Sequence, residues 1–479
     1  MKNVSTLADK AERPVRVVQF GTGNFLRAFA DWMLEIVNEK TDWNGNVVMV
    51  KSTDHGSLSA LRGQNCVYTV ALRGLENGET VEKFCTVTCV SDALDCRTEY
   101  DRVLALAKLP ELRFVLSNTT EAGIAWDERD EAADRPPHSF PAKLTQLLYA
   151  RAQAFDYAKE KGLIVLPMEL IDDNGGALRA LVVRYAQKWA LGERFLNWLE
   201  GSCAFASTLV DRIVTGKPAD ADALCARLGA QDDCLVAAEP YMSWVIACDR
   251  EIEGELPLQK AGLPVIYAQD LAPYRTRKVR LLNGAHTSFV PAAYLAEFDI
   301  VRDAVLDPDF GRFIRKTLEK EIMPTIDQPE EELRAFADSV LERFANPYID
   351  HSLLAICLNS VSKWRARILP TLLDDVKKNG EIPQNLAFSL AALLELYSGT
   401  VHGGQMDCLR GERSFALRDE EEALRSIEQF RENLPQLLAC KTLWGMDLND
   451  IPGFAACVAH WRERIREDGV RACIRELGA

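Results

Sequence analysis

The stretch VVQFGTGNFLRAF, residues 17–29, runs an apolar β-type segment straight into Gly21 and Gly23 and then into a helical pattern. Few folds accept a strand, a two-glycine turn and a helix with nothing between them. The parallel α/β sheet does, because its crossovers are helices that begin where strands end. Such a turn lets backbone N–H groups approach a pyrophosphate at a helix N-terminus. Gly21, Gly23, Asn24 and Phe25 are therefore candidate binders of a dinucleotide. The third position of the G-x-G-x-x-G fingerprint is Leu26, so the match is incomplete and a plain tight turn is the alternative.

The same texture continues through the first half of the chain. NVVMV (46–50), RFVLS (113–117) and LIVLPMEL (163–170) read as further buried strands. The amphipathic stretch at 141–162 leads into the last of them. CVYTVALRG and ETVEKFCTVTCV flank LENG, which reads as a β-hairpin inserted in the sheet. After about residue 270 long helical periodicities take over, as in HSLLAICLNSVSKWRARIL and NLAFSLAALLELYSG. The expected architecture is an α/β N-terminal domain with a doubly wound sheet and a hairpin insertion, residues 1–270. A mainly α-helical C-terminal domain, residues 271–479, follows it.

Charge and cysteine content narrow the partners. Lys+Arg 56 against Asp+Glu 71 leaves a net charge of −15, which argues against nucleic acid or an anionic membrane. No apolar run approaches the ~20 residues a membrane span needs, and the polar start MKNVSTLADKAERP lacks a signal peptide's apolar core. The 13 cysteines are odd in number and lie mostly in apolar segments, and no CxxC, HxxxH or HExxH cluster occurs. We expect reduced thiols in a cytoplasmic protein, without a structural metal.

Within the helical half, KVRLLNGAH (278–286) sets an amine, an amide and an imidazole among apolar residues. At ~100° per residue of an α-helix, Lys278, Asn283 and His286 share a sector less than half the circumference wide. A snorkelling lysine beside a satisfied core histidine explains the spacing as cheaply as a catalytic face does. Other polar groups follow the strands. Strand two ends in VKSTD, where Asp54 could hold an adenosine ribose and Lys51 would tolerate a 2′-phosphate. LSNTTEAG (116–123) offers Thr119 and Glu121 to a cofactor, or simply a helix cap. Asn174 in MELIDDNGGALR is explained equally by turn chemistry, and Asp211 beside Arg212 by a structural pair.

Six motifs occur together, in order, across residues 20–370: FGTGNFLRAF, SNTTEAG, ELIDDNG, STLVDRIVTG, KVRLLNGAHT and NPYIDHSLLAICLNSVSKWRARILP. Jointly they resemble the polyol-specific long-chain dehydrogenases, also called the mannitol dehydrogenase family. The likeness is strongest to members acting on hexuronates; the mannitol branch typically shows a GxFHRAH-like turn where this chain has GNFLRAF. The resemblance implies a Rossmann-type N-terminal domain, NAD as cofactor and a zinc-independent active site. It places the family's K-x4-N-x2-H motif on Lys278, Asn283 and His286, with Lys278 as general acid/base. Asn283, with Asn174, would hydrogen-bond the oxygen that becomes alkoxide, His286 would orient the substrate, and Asp211 would lie near the nicotinamide. ELIDDNG departs at this point from the CDN of mannitol dehydrogenases.

The chemistry is self-consistent. Hydride transfer to a ketone makes an alkoxide that must be protonated, and a desolvated lysine with amide donors supplies both proton and charge stabilisation. A hexuronate also carries a carboxylate, which a guanidinium grips best. Arg365 and Arg367 of SVSKWRARIL stand about 200° apart on a helix, so at most one points toward substrate. Arg365 is the expected one. The small-molecule substrate is expected to be a hexuronate, handled by a monomer or small homo-oligomer. An NAD(H)-sensing regulator without turnover is the reading from another class.

Overall fold

The computed structural model describes residues 1–479 except Asp54 and the side chain of Glu121, so those two expectations lie outside the described residues. The chain forms two compact units. One comprises Met1–Gly74 with Val81–Leu271, and the other Leu75–Thr80 with Ala272–Ala479.

The first unit is built on six strands: β1 (Val15–Phe20), β2 (Asn46–Lys51), β3 (Val90–Asp95), β4 (Phe114–Ser117), β5 (Ile164–Pro167) and β6 (Ala204–Phe205). Their spatial order is β3-β2-β1-β4-β5-β6, with every neighbouring pair parallel. This is the 3-2-1-4-5-6 order of dinucleotide-binding sheets, and its direction of winding reverses between β1 and β4. The strands read as continuous apolar runs because both faces are covered. Alternate residues feed two separate cores: Val17, Phe114, Leu116, Ile164 and Leu166 enter one, while Val18, Phe20, Val115 and Val165 enter the other.

The hairpin is real but sits elsewhere than expected. Tyr68–Glu76 and Glu79–Val87 are joined through Asn77 and Gly78, both at positive φ (56° and 80°), as the two-residue hairpin turn requires. It is inserted in the chain between β2 and β3, not in the sheet. β2 pairs with β3 instead, through Val48↔Asp92 and Val50↔Leu94. The hairpin's first strand lies parallel to Val236–Ala238 in a separate four-stranded sheet. Its buried face, Tyr68, Val70 and Leu72, packs into the core shared with Val17 and Met49. A further three-stranded sheet of Ser207–Asp211, Ser243–Ala247 and Val265–Ala268 completes the region after β6.

In the second unit, Ala272–Arg277, Lys278–Gly284 and Ala285–Leu295 run on as one helical rod whose middle segment is π-helical. Its apolar residues, with Phe388, Trp364 and Trp444, form the unit's core. The stretch 351–369 is two helices, not one. Asn359 adopts a left-handed conformation (φ 55°), separating Leu353–Ile356 from Ser360–Arg367. An antiparallel sheet of Thr400–His402, Gln405–Arg410 and Arg413–Leu417 interrupts the otherwise helical unit. Among the described residues no helix is long and apolar enough to cross a membrane.

Candidate active site

Gly21 leaves β1 at φ +129°, a conformation that side chains disfavour, and its N–H donates to Val50 O at 2.9 Å. A Cβ there would stand 2.8 Å from Leu26 Cδ1 and 3.1 Å from the Asn118 carbonyl oxygen. The turn can therefore close onto the β4 loop only as glycine. Gly23 differs, because a Cβ added to it meets nothing within 4 Å. It caps the helical run Asn24–Lys40 without any side-chain hydrogen bond. The helix start thus has no side-chain cap and open space beside the Gly23 Cα. Asn24 is exposed and its Oδ1 accepts from Arg27 Nη2 at 2.6 Å, while Phe25 stacks on Phe29 with centroids 4.9 Å apart.

The carboxyl ends of β4 and β5 are tied by a group the sequence did not single out. Glu169 is 2% exposed, and its carboxylate accepts from Thr119 N and Oγ1, both at 2.9 Å, and from Ser117 Oγ at 3.1 Å. Thr119 is held by the protein itself and helps to shape the loop. Asn174 is 1% exposed and fully committed. Its amide nitrogen donates to the carbonyls of Pro167, Glu169 and Thr208 at 3.0–3.1 Å, and its oxygen accepts from Thr208 N at 2.8 Å. Asp211 ends the strand Ser207–Asp211 opposite Ser243 and is half-buried. Its neighbour Arg212 is buried, with Nη1 donating to Ala28 O at 2.8 Å and its guanidinium 4.4 Å above Trp32.

In the second unit the π segment changes the geometry of KVRLLNGAH. A π-helix bonds residue i to i+5, so residues five apart stack as residues four apart do in an α-helix. Lys278 and Asn283 are five apart within Lys278–Gly284. The α-helix resumes at Ala285, and His286 follows Asn283 by three. All three side chains thereby come onto one face, closer than α periodicity allows. Arg280 braces the segment through Thr325 Oγ1 at 2.8 Å and Asp374, and Arg277 through Glu332.

Lys278 and Asn283 are half-buried, and among the described residues the Asn283 amide has no hydrogen-bond partner. His286 is buried against Phe344, ring centroids 4.0 Å apart, with His351 at 5.5 Å. Its Nε2 is buried without a partner. Burial chiefly, then the nearby His351, Arg343, Arg367 and Lys363, hold its pKa well below the usual histidine range. A neutral imidazole with an unmatched nitrogen in a dry place is suited to a substrate hydroxyl.

The mannitol dehydrogenase Rossmann domain matches residues 15–260, and the mannitol dehydrogenase C-terminal domain matches residues 270–466. The chain belongs to the mannitol dehydrogenase family. Altronate oxidoreductases of Shigella flexneri and Escherichia coli are 44% and 43% identical to it over 98% of both chains. Among solved structures, a substrate-free D-sorbitol dehydrogenase superposes with TM-score 0.81 at 24% identity, covering 99% of this chain and 100% of that one. Pseudomonas fluorescens mannitol 2-dehydrogenase, in a ternary complex with NAD and D-mannitol, gives 0.71 at 21% identity, covering 99% and 96%. These two establish the shared fold.

As a member of the mannitol dehydrogenase family the chain is an NAD-dependent oxidoreductase acting on CH–OH groups. Its residues fit the cofactor. The bare Cα of Gly23 and the uncapped helix start leave room and donors for a pyrophosphate. Lys51, in contrast, is buried and spent on Asp95 at 3.2 Å and Thr53 O at 2.7 Å, so it is not presented to a 2′-phosphate.

Two expected site residues are placed differently in this mannitol dehydrogenase family member. Asn174 has no amide proton left for a substrate oxygen, because it clasps β5 to the strand at Thr208. Asn174→Ala should therefore lower stability by about 1–3 kcal/mol, the cost of orphaning buried backbone groups. A loss of turnover at unchanged melting temperature would overturn that structural role. Arg365 donates to the carbonyls of Thr442 and Leu443 at 3.1 and 3.3 Å and lies against Gly445. Its Nη1 closes a helix end.

The neutral state of His286 gives a signed pH prediction. The unfolded chain takes up the histidine proton below about pH 6.5, whereas the folded one resists it. Stability therefore falls as pH drops through 6.5. The difference in unfolding free energy between wild type and His286→Gln should change by up to about 1.4 kcal/mol per pH unit there. A pH-independent difference in denaturant titrations would show that burial does not keep the ring neutral.

Proposed function

We propose that the protein reduces the ketone of D-tagaturonate to D-altronate with NADH, reversibly. The observation that carries this reading is the single face on which the π segment sets Lys278, Asn283 and His286. The relatives named altronate oxidoreductase support the choice of substrate. Bound NADH supplies the hydride. Lys278 donates the proton that converts the alkoxide oxygen to a hydroxyl, and withdraws it in the reverse direction. The Asn283 amide, free of internal partners, donates to that same oxygen as charge develops on it. His286 Nε2 orients a neighbouring hydroxyl of the substrate. The engagement of Lys51 by Asp95 supports NADH over NADPH. Thirteen free cysteines accord with a reducing, cytoplasmic setting.

The reading is tested by assaying tagaturonate, fructuronate and fructose with NADH and NADPH, following the absorbance of the reduced cofactor. Tagaturonate with NADH should give the highest kcat/KM. Preference for fructuronate or fructose would move the protein to another branch of its family. Cofactor binding with no turnover on any substrate would make it an NAD(H) sensor.

A further inference from the structure

Around His286 the second unit gathers several cations. Lys363 and Arg367 both lie on the helix Ser360–Arg367, and both act on His286 together with Arg343 and His351. Lys363 gives one proton to Ile356 O at 2.8 Å. Arg367 is the unusual member. Among the described residues no carboxylate or carbonyl is paired with its guanidinium, although the chain holds 71 acidic residues against 56 basic ones. Burial pushes the pKa of Arg367 down, and burial with Arg367 does the same to Lys363. Asp419 acts favourably on Lys363, but burial alone acts on Arg367, a cost to the fold that an incoming anion would relieve.

The position of Arg367 is fixed by the motif itself. A Cβ built on Gly284 would stand 3.6 Å from the Arg367 carbonyl oxygen and 3.9 Å from Ile368 Cδ1. The end of the arginine's helix thus rests against the residue following Asn283. Arg365, two positions earlier, is turned away to Thr442 and Leu443. Of the two arginines, Arg367 is the one that shares with Lys363 the side of that helix facing His286.

We infer that Arg367 is the specificity-determining residue of this enzyme, receiving the carboxylate of the sugar acid beside Lys363. A planar guanidinium holds a carboxylate through two parallel N–H···O bonds, which a neutral sugar cannot return. The inference rests on the hexuronate reading and names the group that selects for it.

The experiment compares kcat/KM for tagaturonate and for fructose in wild type, Arg367→Met, Arg367→Lys and Arg365→Met. Arg367→Met should lose at least roughly 30-fold on tagaturonate, mainly through KM, and change little on fructose. Arg367→Lys keeps the charge without the fork and should fall between. It also decides the matter if the methionine variant does not fold. Arg365→Met should lower thermal stability and leave the ratio between the two substrates unchanged. Equal losses on both substrates, or no loss, in the Arg367 variants overturn the inference while leaving the hexuronate reading intact. A wild-type enzyme that uses fructose as readily as tagaturonate overturns the reading and the inference with it.

Discussion

Lys278→Ala is expected to lower kcat by about 10²- to 10⁴-fold while leaving NADH binding nearly unchanged. The size follows from what is lost. Without a positioned acid, the alkoxide must wait for a proton from water, and the reverse reaction has no group to deprotonate the alcohol. The separation of effects follows from the fold. The proposed pyrophosphate turn at Gly23–Asn24 belongs to the Rossmann unit, whereas Lys278 opens the π segment of the helical unit. Cofactor titration and single-turnover reduction of tagaturonate measure the two separately. An added small primary amine should restore part of the rate in the alanine variant, and the pH profile of altronate oxidation should lose the limb that depends on the lysine. Wild-type turnover in the variant would remove Lys278 from proton transfer. Weakened NADH binding with an unaltered chemical step would make it a cofactor contact instead.

How much of this was legible in the chain depends on which physical signal each feature leaves. The doubly wound sheet announces itself because β1, β2, β4 and β5 are buried on both faces and bounded by turn residues. β3 and the short strands after β6 do not. They alternate or are only two to five residues long, and their partners are distant in sequence. The hairpin shows through its Asn-Gly turn, but a turn says nothing about which sheet receives the strands. Lys278, Asn283 and His286 could be grouped from spacing, yet α periodicity spreads Lys278 and Asn283 apart. Only the π hydrogen bonding of Lys278–Gly284, invisible in the sequence, stacks them. The misplacements have a common cause. Asn174 and Arg365 are polar residues in promising motifs that donate to backbone carbonyls contributed from elsewhere in the chain, Asn174 with its whole amide and Arg365 through Nη1. Glu169 is illegible in the sequence for the converse reason, since a glutamate among turn residues gives no hint that three donors converge on it.

Asn283→Ala should cost about 2.7–4 kcal/mol of transition-state stabilisation, roughly 10²- to 10³-fold in kcat. The amide can be worth this much because it is idle in the resting protein. Among the described residues nothing receives its side-chain N–H groups, while its backbone serves the helix and its carbonyl accepts from Thr287 Oγ1 at 2.9 Å. A donor already in place makes its bond only as the substrate oxygen gains charge. Its loss should therefore lower kcat and kcat/KM together and leave KM near the wild-type value. The same idleness predicts that truncation orphans no buried group, so melting temperature should hardly move. That is the opposite of Asn174→Ala, in which the fold loses and the chemistry does not. Asn283→Asp sharpens the comparison at nearly constant volume. It places a carboxylate where an alkoxide must form, so its rate should fall below that of the alanine variant. Equal rates for the two variants would mean that the side chain at 283 does not face the reacting oxygen, and a collapse in stability with normal residual activity would make Asn283 a core amide.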